Sequence, residues 1–185
     1  MAKEQTRYLA LLRGINVGGK NIIAKEELCR CFEELGCCCI RTYIQSGNIL
    51  FRTKATSAKQ LSTQIENELS RRFSYAAQAV VLSHHQYVSA VQAAPKQWGA
   101  SSLRKHNAIF MLGDMPPDEL LKQLPSPKKD LESVVMGPGV VFWSVSKKRL
   151  SKTTLMKLSM SPVYQNVTVR NHNTVFKLLE LFDEI

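Results

Sequence analysis

The stretch Arg13-Gly14-Ile15-Asn16-Val17-Gly18-Gly19-Lys20-Asn21 carries the residue types best suited to holding an anion. Glycines let the backbone take positive φ and come close to a ligand, while two cations and two asparagines supply donors. It follows the apolar run Tyr8 to Leu12 and precedes a helical pattern, so it lies where a strand hands over to a helix. The competing reading is a plain glycine-rich connection. The spacing matches neither the P-loop G-x-x-x-x-G-K-S/T nor G-x-G-x-x-G.

Three further stretches invite the same question. Ser46-Gly47-Asn48 has turn composition and gains interest only from its neighbours. Ser146 to Lys152 holds four cations in seven residues, which suits phosphate contact or a solvated loop. Arg170-Asn171-His172-Asn173-Thr174 ends a strand and opens a helix, where Asn171 or Asn173 can cap backbone amides. Arg170 has no capping role to play and reads as functional.

Proton-transfer and metal chemistry find little support. The histidines His84, His85, His106 and His172 form no metal-ligand spacing, and no carboxylate pair recurs at a loop end. All five cysteines, Cys29, Cys31, Cys37, Cys38 and Cys39, fall within eleven residues as C-x-C-x5-C-C-C, without a C-x2-C knuckle. Adjacent strand residues point to opposite faces, so Cys38 is not expected on the same side as Cys37 and Cys39. Buried free thiols are the expected state, with no metal and no cofactor. Sites rich in Arg, Lys, Asn and Ser but poor in acids look built to bind more than to move protons.

The elements that must position these residues follow from periodicity. Residues 7–15 read as a central strand and Ala24 to Leu35 as a helix stopped by Gly36. Residues 38–45 alternate Ile40, Thr42, Ile44 against Arg41, Tyr43, Gln45, a half-buried strand. Ile49 to Arg52, the helix Ser57 to Phe73 and the strand Ala77 to Leu82 complete βαββαβ. A connecting helix (84–94) and a polar linker (Lys96 to Lys105) precede a second round. That round has strands at Ala108 to Leu112, Leu131 to Met136, Val140 to Val145 and Asn166 to Val169. Its helices are Pro117 to Leu124 and Thr153 to Met160, and Thr174 to Phe182 closes the chain. The expected fold is therefore α+β: two ferredoxin-like βαββαβ subdomains in tandem, residues 1–94 and 95–185, plus a C-terminal helix. Strand order 4-1-3-2 brings the loop after strand one beside the hairpin after strand two. It likewise joins Ser146–Lys152 to Arg170-Asn171.

The net charge of +10 is spread over the body, with 12 Lys and Arg against 7 Asp and Glu in residues 1–92, and 13 against 8 in residues 93–185. This balance suits an anionic small molecule or nucleic acid as partner. No apolar run reaches the ~20 residues of a membrane helix. The start, Met1 to Arg7, leads directly into a strand without a secretory h-region, making the cytoplasm the expected compartment and a membrane partner unexpected. The central strands offer only Tyr8 and Phe51 as aromatics and lack the K/R-G-F/Y-G/A-F-V-x-F/Y pattern, so RNA stacking on the sheet face is not expected.

Tyr8 to Asn21, Arg41 to Asn48, Arg149-Leu150-Ser151 and Arg170-Asn171 together resemble a bacterial family, the domain-of-unknown-function family 1697, over essentially the whole chain. The resemblance implies tandem ferredoxin-like subdomains and no established activity. It also implies a tryptophan after Arg170-Asn171, where this chain has His172, which would weaken stacking there.

The reading favoured by the residues is binding of a phosphate-bearing ligand: a nucleotide, nucleic acid or phosphorylated metabolite. The expected contacts are Arg13, Asn16, Gly18, Gly19, Lys20, Asn21, Ser46, Gly47 and Asn48, aided by Lys152, Arg170 and Asn171. One rival is phosphoryl or nucleotidyl transfer on a small molecule, with Arg13 and Lys20 on the transferred charge and magnesium as a candidate ion. Another is a protein-interaction module using the C-terminal helix or the sheet edges. Catalysis and oligomeric state are left open.

Overall fold

The computed structural model describes residues 5–16, 19, 21–44, 47–54 and 56–185. Two compact units divide the chain. One holds the residues up to Tyr87 together with Leu178–Ile185, and the other holds Val88–Lys177. The chain passes between them inside two helices.

In the first unit, β1 (Gln5–Arg13), α1 (Lys25–Glu34), β2 (Cys38–Tyr43), β3 (Asn48–Lys54), α2 (Ala58–Phe73) and β4 (Gln78–Ser83) follow the expected order. The sheet is antiparallel, β2-β3-β1-β4. Pleat alternation sends Tyr8, Ala10, Leu12, Ile49 and Phe51 to one face, where α1 contributes Leu28, Cys31 and Phe32, and α2 contributes Leu61, Ile65 and Leu69. Phe32 meets Phe51 edge-on at 5.1 Å, the geometry that aromatic quadrupoles favour. Ser57 caps α2 by accepting the Gln60 amide at 3.1 Å.

The last residues of the chain belong to this unit and absorb three arginines. Arg7 donates to the Phe182 carbonyl at 2.6 Å, Arg52 donates to the Ile185 carbonyl at 2.5 Å, and Arg41 pairs with Glu184. Part of the positive charge counted in the sequence is thus engaged within the fold.

The cysteine expectation needs correction. Cys31 and Cys37 are buried free thiols, but Cys29 and Cys38 are half-exposed and Cys39 is exposed. The register of β2 on β3 slips between Cys38 and Arg41, and Cys39 has φ +50. This bulge interrupts the pleat, so the alternation rule does not apply there.

The second unit repeats the pattern. It contains β5 (Arg104–Met111), α4 (Pro117–Lys122), β6 (Glu132–Gly137), β7 (Val140–Ser146), α5 (Leu155–Leu158) and β8 (Val167–Asn171), in sheet order β6-β7-β5-β8. α3 (His84–Gln92) leads into it and α6 (His172–Leu181) leads out. Its core includes Ile109, Met111, Leu120, Val141, Trp143, Val145 and Val163.

Two of the boundaries that differ from the sequence reading have a clear cause. β5 starts at Arg104, because Arg104 and Lys105 pair with Ser146 and Val145 and take what looked like linker into the sheet. The helix expected over Thr153 to Met160 shrinks to one short turn. The reason is the buried Glu132 carboxylate, which accepts the amides of Thr154 (2.8 Å) and Leu155 (3.0 Å) and so sets where that helix begins. The same carboxylate accepts Trp143 Nε1 at 3.1 Å and the Lys128 amide at 2.9 Å. Among the described residues, no helix is long and apolar enough to cross a membrane.

Candidate functional site

The edge at which β1 and β2 both end is where the polar stretches of the first unit gather. β1 stops at Arg13 because Gly14 turns to φ +72. Asn16 then takes φ +51, a conformation that asparagine tolerates better than most residues. Its side chain grips the backbone across the loop: Oδ1 accepts the Ile23 amide at 2.8 Å and Nδ2 donates to the Ile23 carbonyl at 3.2 Å. The Asn16 amide donates to the Asn21 carbonyl at 3.1 Å, and Asn21 Nδ2 donates to the Gly14 carbonyl at 2.8 Å. Both asparagines expected to hold a ligand therefore brace the base of the loop.

The hairpin arrives beside this loop as topology requires. Leu12 donates its amide to the Gly47 carbonyl at 2.7 Å. Gly47 has φ +75, and a Cβ there would lie 2.8 Å from the Leu12 Cβ and 3.0 Å from Ile15 Cγ1. Only glycine fits. Asn48 is fully buried and donates from Nδ2 to the Tyr43 carbonyl at 2.9 Å.

Between loop, hairpin and helix lies a cleft of about 540 Å³. Its polar lining comes from Asn16, Lys25, Thr42 and Asn48; Ile22, Ile23, Leu28 and Ile44 supply apolar walls. Ile22 and Ile44 are 78% and 56% exposed, an unusual state for branched aliphatic residues beside a cavity. Ile44 also takes φ +55. A β-branched residue in that region is strained, and such strain concentrates at functional sites. The N-terminus of α1 opens at the same place: Ala24 occupies the cap position with no side-chain hydrogen bond, and Lys25 is the first helical residue.

Three of the expected ligand contacts line this cleft: Asn16, Gly47 and Asn48. Arg13 is half-buried at the end of β1, paired with Gln78 in the ladder, while Gly19 and Asn21 are exposed. None of these three is among its lining residues. Gly18, Lys20 and Ser46 lie outside the described residues. Sequence reasoning missed Lys25, Thr42, Ile22 and Ile44. Ile44 was assigned to the buried face of its strand; β2 instead ends at Tyr43, and the following turn swings the side chain outward.

A family model described as a protein of unknown function, DUF1697, matches residues 5–142. The chain belongs to this DUF1697 family. It is also similar in structure to the conserved bacterial protein SP0830 from Streptococcus pneumoniae, with a TM-score of 0.86 and 29% identity over 97% of this chain and 99% of that one. No curated protein matches.

The second polar cluster of this DUF1697 chain lies in its second unit. β7 and β8 each pair antiparallel with β5, so they run the same way, and the segment after β7 emerges at the edge where β8 ends. Lys147, Lys148, Arg149 and Lys152 are exposed there. Arg170, expected as a ligand contact, is instead buried in β8 and donates to Thr168 Oγ1 at 2.8 Å and to the Val169 carbonyl at 2.9 Å. Asn171 takes the capping role, its Oδ1 accepting the Thr174 amide at 2.9 Å. His172 packs edge-on against Trp98 (6.1 Å) and His106 (5.4 Å), so an aromatic setting surrounds the position where the family resemblance implies tryptophan.

Proposed function

We propose that the cleft at the β1–β2 edge binds a small phosphate-bearing ligand with an apolar body, of which a nucleotide is the simplest example. The observation carrying this reading is a cation, Lys25, at the start of α1, where the cap residue Ala24 makes no side-chain hydrogen bond, beside two exposed isoleucines, one of them strained. First-turn amides and the helix dipole attract an anion. Ile22 and Ile44 offer exposed apolar contact to a ring. The volume falls within the ~300–1,000 Å³ of ordinary ligand sites. Glu26 and Glu27 share the first turn, but neither lines the cleft, and Glu27 pairs with Arg30 at 2.8 Å.

Binding without turnover is favoured over phosphoryl transfer, since no Asp or Glu is among the described residues lining the cleft. The transfer reaction needs a positioned base, and Lys25 is the one titratable side chain among the described lining residues. Free thiols fit the reducing cytoplasm, which remains the proposed compartment.

The test is a thermal-shift series with nucleotides, sugar phosphates and short oligonucleotides. A ligand at a hundred times its Kd is expected to stabilise the protein by about 2.7 kcal/mol. The Lys25→Gln variant should lose most of that shift while its unliganded melting temperature stays unchanged. No shift with any ligand, or an equal shift in both proteins, would overturn the proposal. A shift by oligonucleotides alone that weakens steeply with salt would identify nucleic acid as the ligand.

Ile44→Asn separates strain from architecture. Asparagine tolerates the left-handed conformation, so the variant is expected to gain about 1 kcal/mol in urea unfolding while its ligand shift falls. Unchanged stability and unchanged binding together would remove Ile44 from the site.

A further inference from the structure

The cysteine-rich segment contains a feature that the cleft does not use. Cys38 pairs with Arg52 and Arg41 pairs with Leu50, so Cys39 and Ile40 together oppose Phe51 alone. A residue in the left-handed region at the first position of such a bulge is usually glycine. Here it is Cys39, at φ +50. The pleat is broken beside Cys38, and the neighbouring Cys38 and Cys39 thiols lie close enough to influence each other's ionisation. Gln5 Oε1 accepts from the Cys38 thiol at 2.9 Å and holds that side chain in place. Cys39 is exposed and Cys38 half-exposed, whereas Cys31 and Cys37 are sealed in the core.

We propose that Cys38 and Cys39 form a two-thiol chelating site for trivalent, thiophilic metalloid compounds. Soft thiolate donors select soft centres. Two thiols on adjacent residues, both reachable from solvent, can close on one centre. Direct oxidation is the poorer outcome, because adjacent Cα atoms are 3.8 Å apart and disulfides favour about 4.4–6.8 Å. An atom inserted between the sulfurs widens their separation beyond the ~2 Å of a disulfide and relieves that mismatch. The step is balanced without an oxidant. An arsonous acid, R–As(OH)2, exchanges its two As–O bonds for two As–S bonds, each thiol proton leaves on a departing hydroxide as water, and arsenic stays trivalent. Burial and then the contact with Cys39 raise the Cys38 pKa, so its resting form at neutral pH is the thiol that this exchange consumes.

Phenylarsonous acid is the probe, added to the folded protein and followed by native mass spectrometry. One equivalent is expected to bind, to shield Cys38 and Cys39 from maleimide while Cys29 still reacts, and to be released by a dithiol but not by the same concentration of a monothiol. Cys38→Ser and Cys39→Gly should each bind about 100-fold more weakly or worse, because the second bond is no longer intramolecular. Glycine at 39 keeps the left-handed backbone, so that variant removes the sulfur without removing the bulge. Capture that survives Cys39→Gly, capture that is lost in Cys29→Ser, or no capture by the folded wild-type chain would each overturn the proposal.

Discussion

Replacing Gly47 by valine is expected to destabilise the protein by about 3 kcal/mol and to abolish ligand-induced stabilisation at the cleft. Two penalties combine. A side chain at φ +75 costs about 1–2 kcal/mol, and β-branching makes it worse. The added Cβ would also sit 2.8 Å from the Leu12 Cβ and about 3 Å from two carbons of Ile15. Both neighbours are 1% exposed and have no room to retreat, so overpacking adds roughly 1–3 kcal/mol. Gly19→Val is the matched control, because Gly19 has the same φ of +75 but open space around a Cβ. It should cost only the conformational penalty, about 1–2 kcal/mol with β-branching included. Urea midpoints of the two variants measure the steric part by difference. If the Gly47 variant unfolds no earlier than the Gly19 variant, the hairpin tip does not pack on β1 as described.

Glu132→Gln should cost about 3 kcal/mol at neutral pH, with an effect that fades in acid. The wild-type carboxylate is 4% exposed and accepts four hydrogen bonds, from Trp143 Nε1 and from the amides of Lys128, Thr154 and Leu155. Glutamine keeps one acceptor oxygen and turns an NH2 group toward the remaining donors. Hydrogen bonds to a charged group are worth about 1.5–3 kcal/mol each, and a buried donor left unpaired costs about 1–3 kcal/mol. Burial by itself would raise the Glu132 pKa, but the three backbone amides outweigh it and hold the group below its ordinary 4.5. A folded-state pKa below the unfolded one stabilises the protein above the unfolded value and loses that contribution as pH falls through the folded one. The gap between wild type and variant is therefore expected to be full at neutral pH and to shrink below about pH 4.5. A gap independent of pH would mean that the charge of Glu132 contributes nothing to stability.

Charge counting overstates what a partner can meet. Arg7, Arg41, Arg52 and Arg170 entered the sequence reading as positive charge available to a partner, and Arg170 as a ligand contact. Each is engaged internally, by carbonyls, a hydroxyl or Glu184. A guanidinium carries five donors, and nothing in local sequence says whether a fold or a ligand will accept from them.

What the chain determined alone was periodic and local. Alternation at Tyr8 to Leu12, the stripe of Leu28, Cys31 and Phe32, and the stops at Gly36 and Pro95 specify two βαββαβ rounds. Antiparallel chirality then places Gly47 beside the end of β1. These features depend on residues within a few positions of one another, and on handedness rules shared by all chains. Tertiary structure decided which polar groups remain free. Asn16 and Asn21 bind the backbone of their own loop, Asn171 caps α6, Ile44 turns outward, and a slipped register at Cys39 breaks the strand alternation and leaves Cys39 exposed. Such outcomes depend on partners distant in sequence or on one backbone angle, and neither leaves a periodic trace.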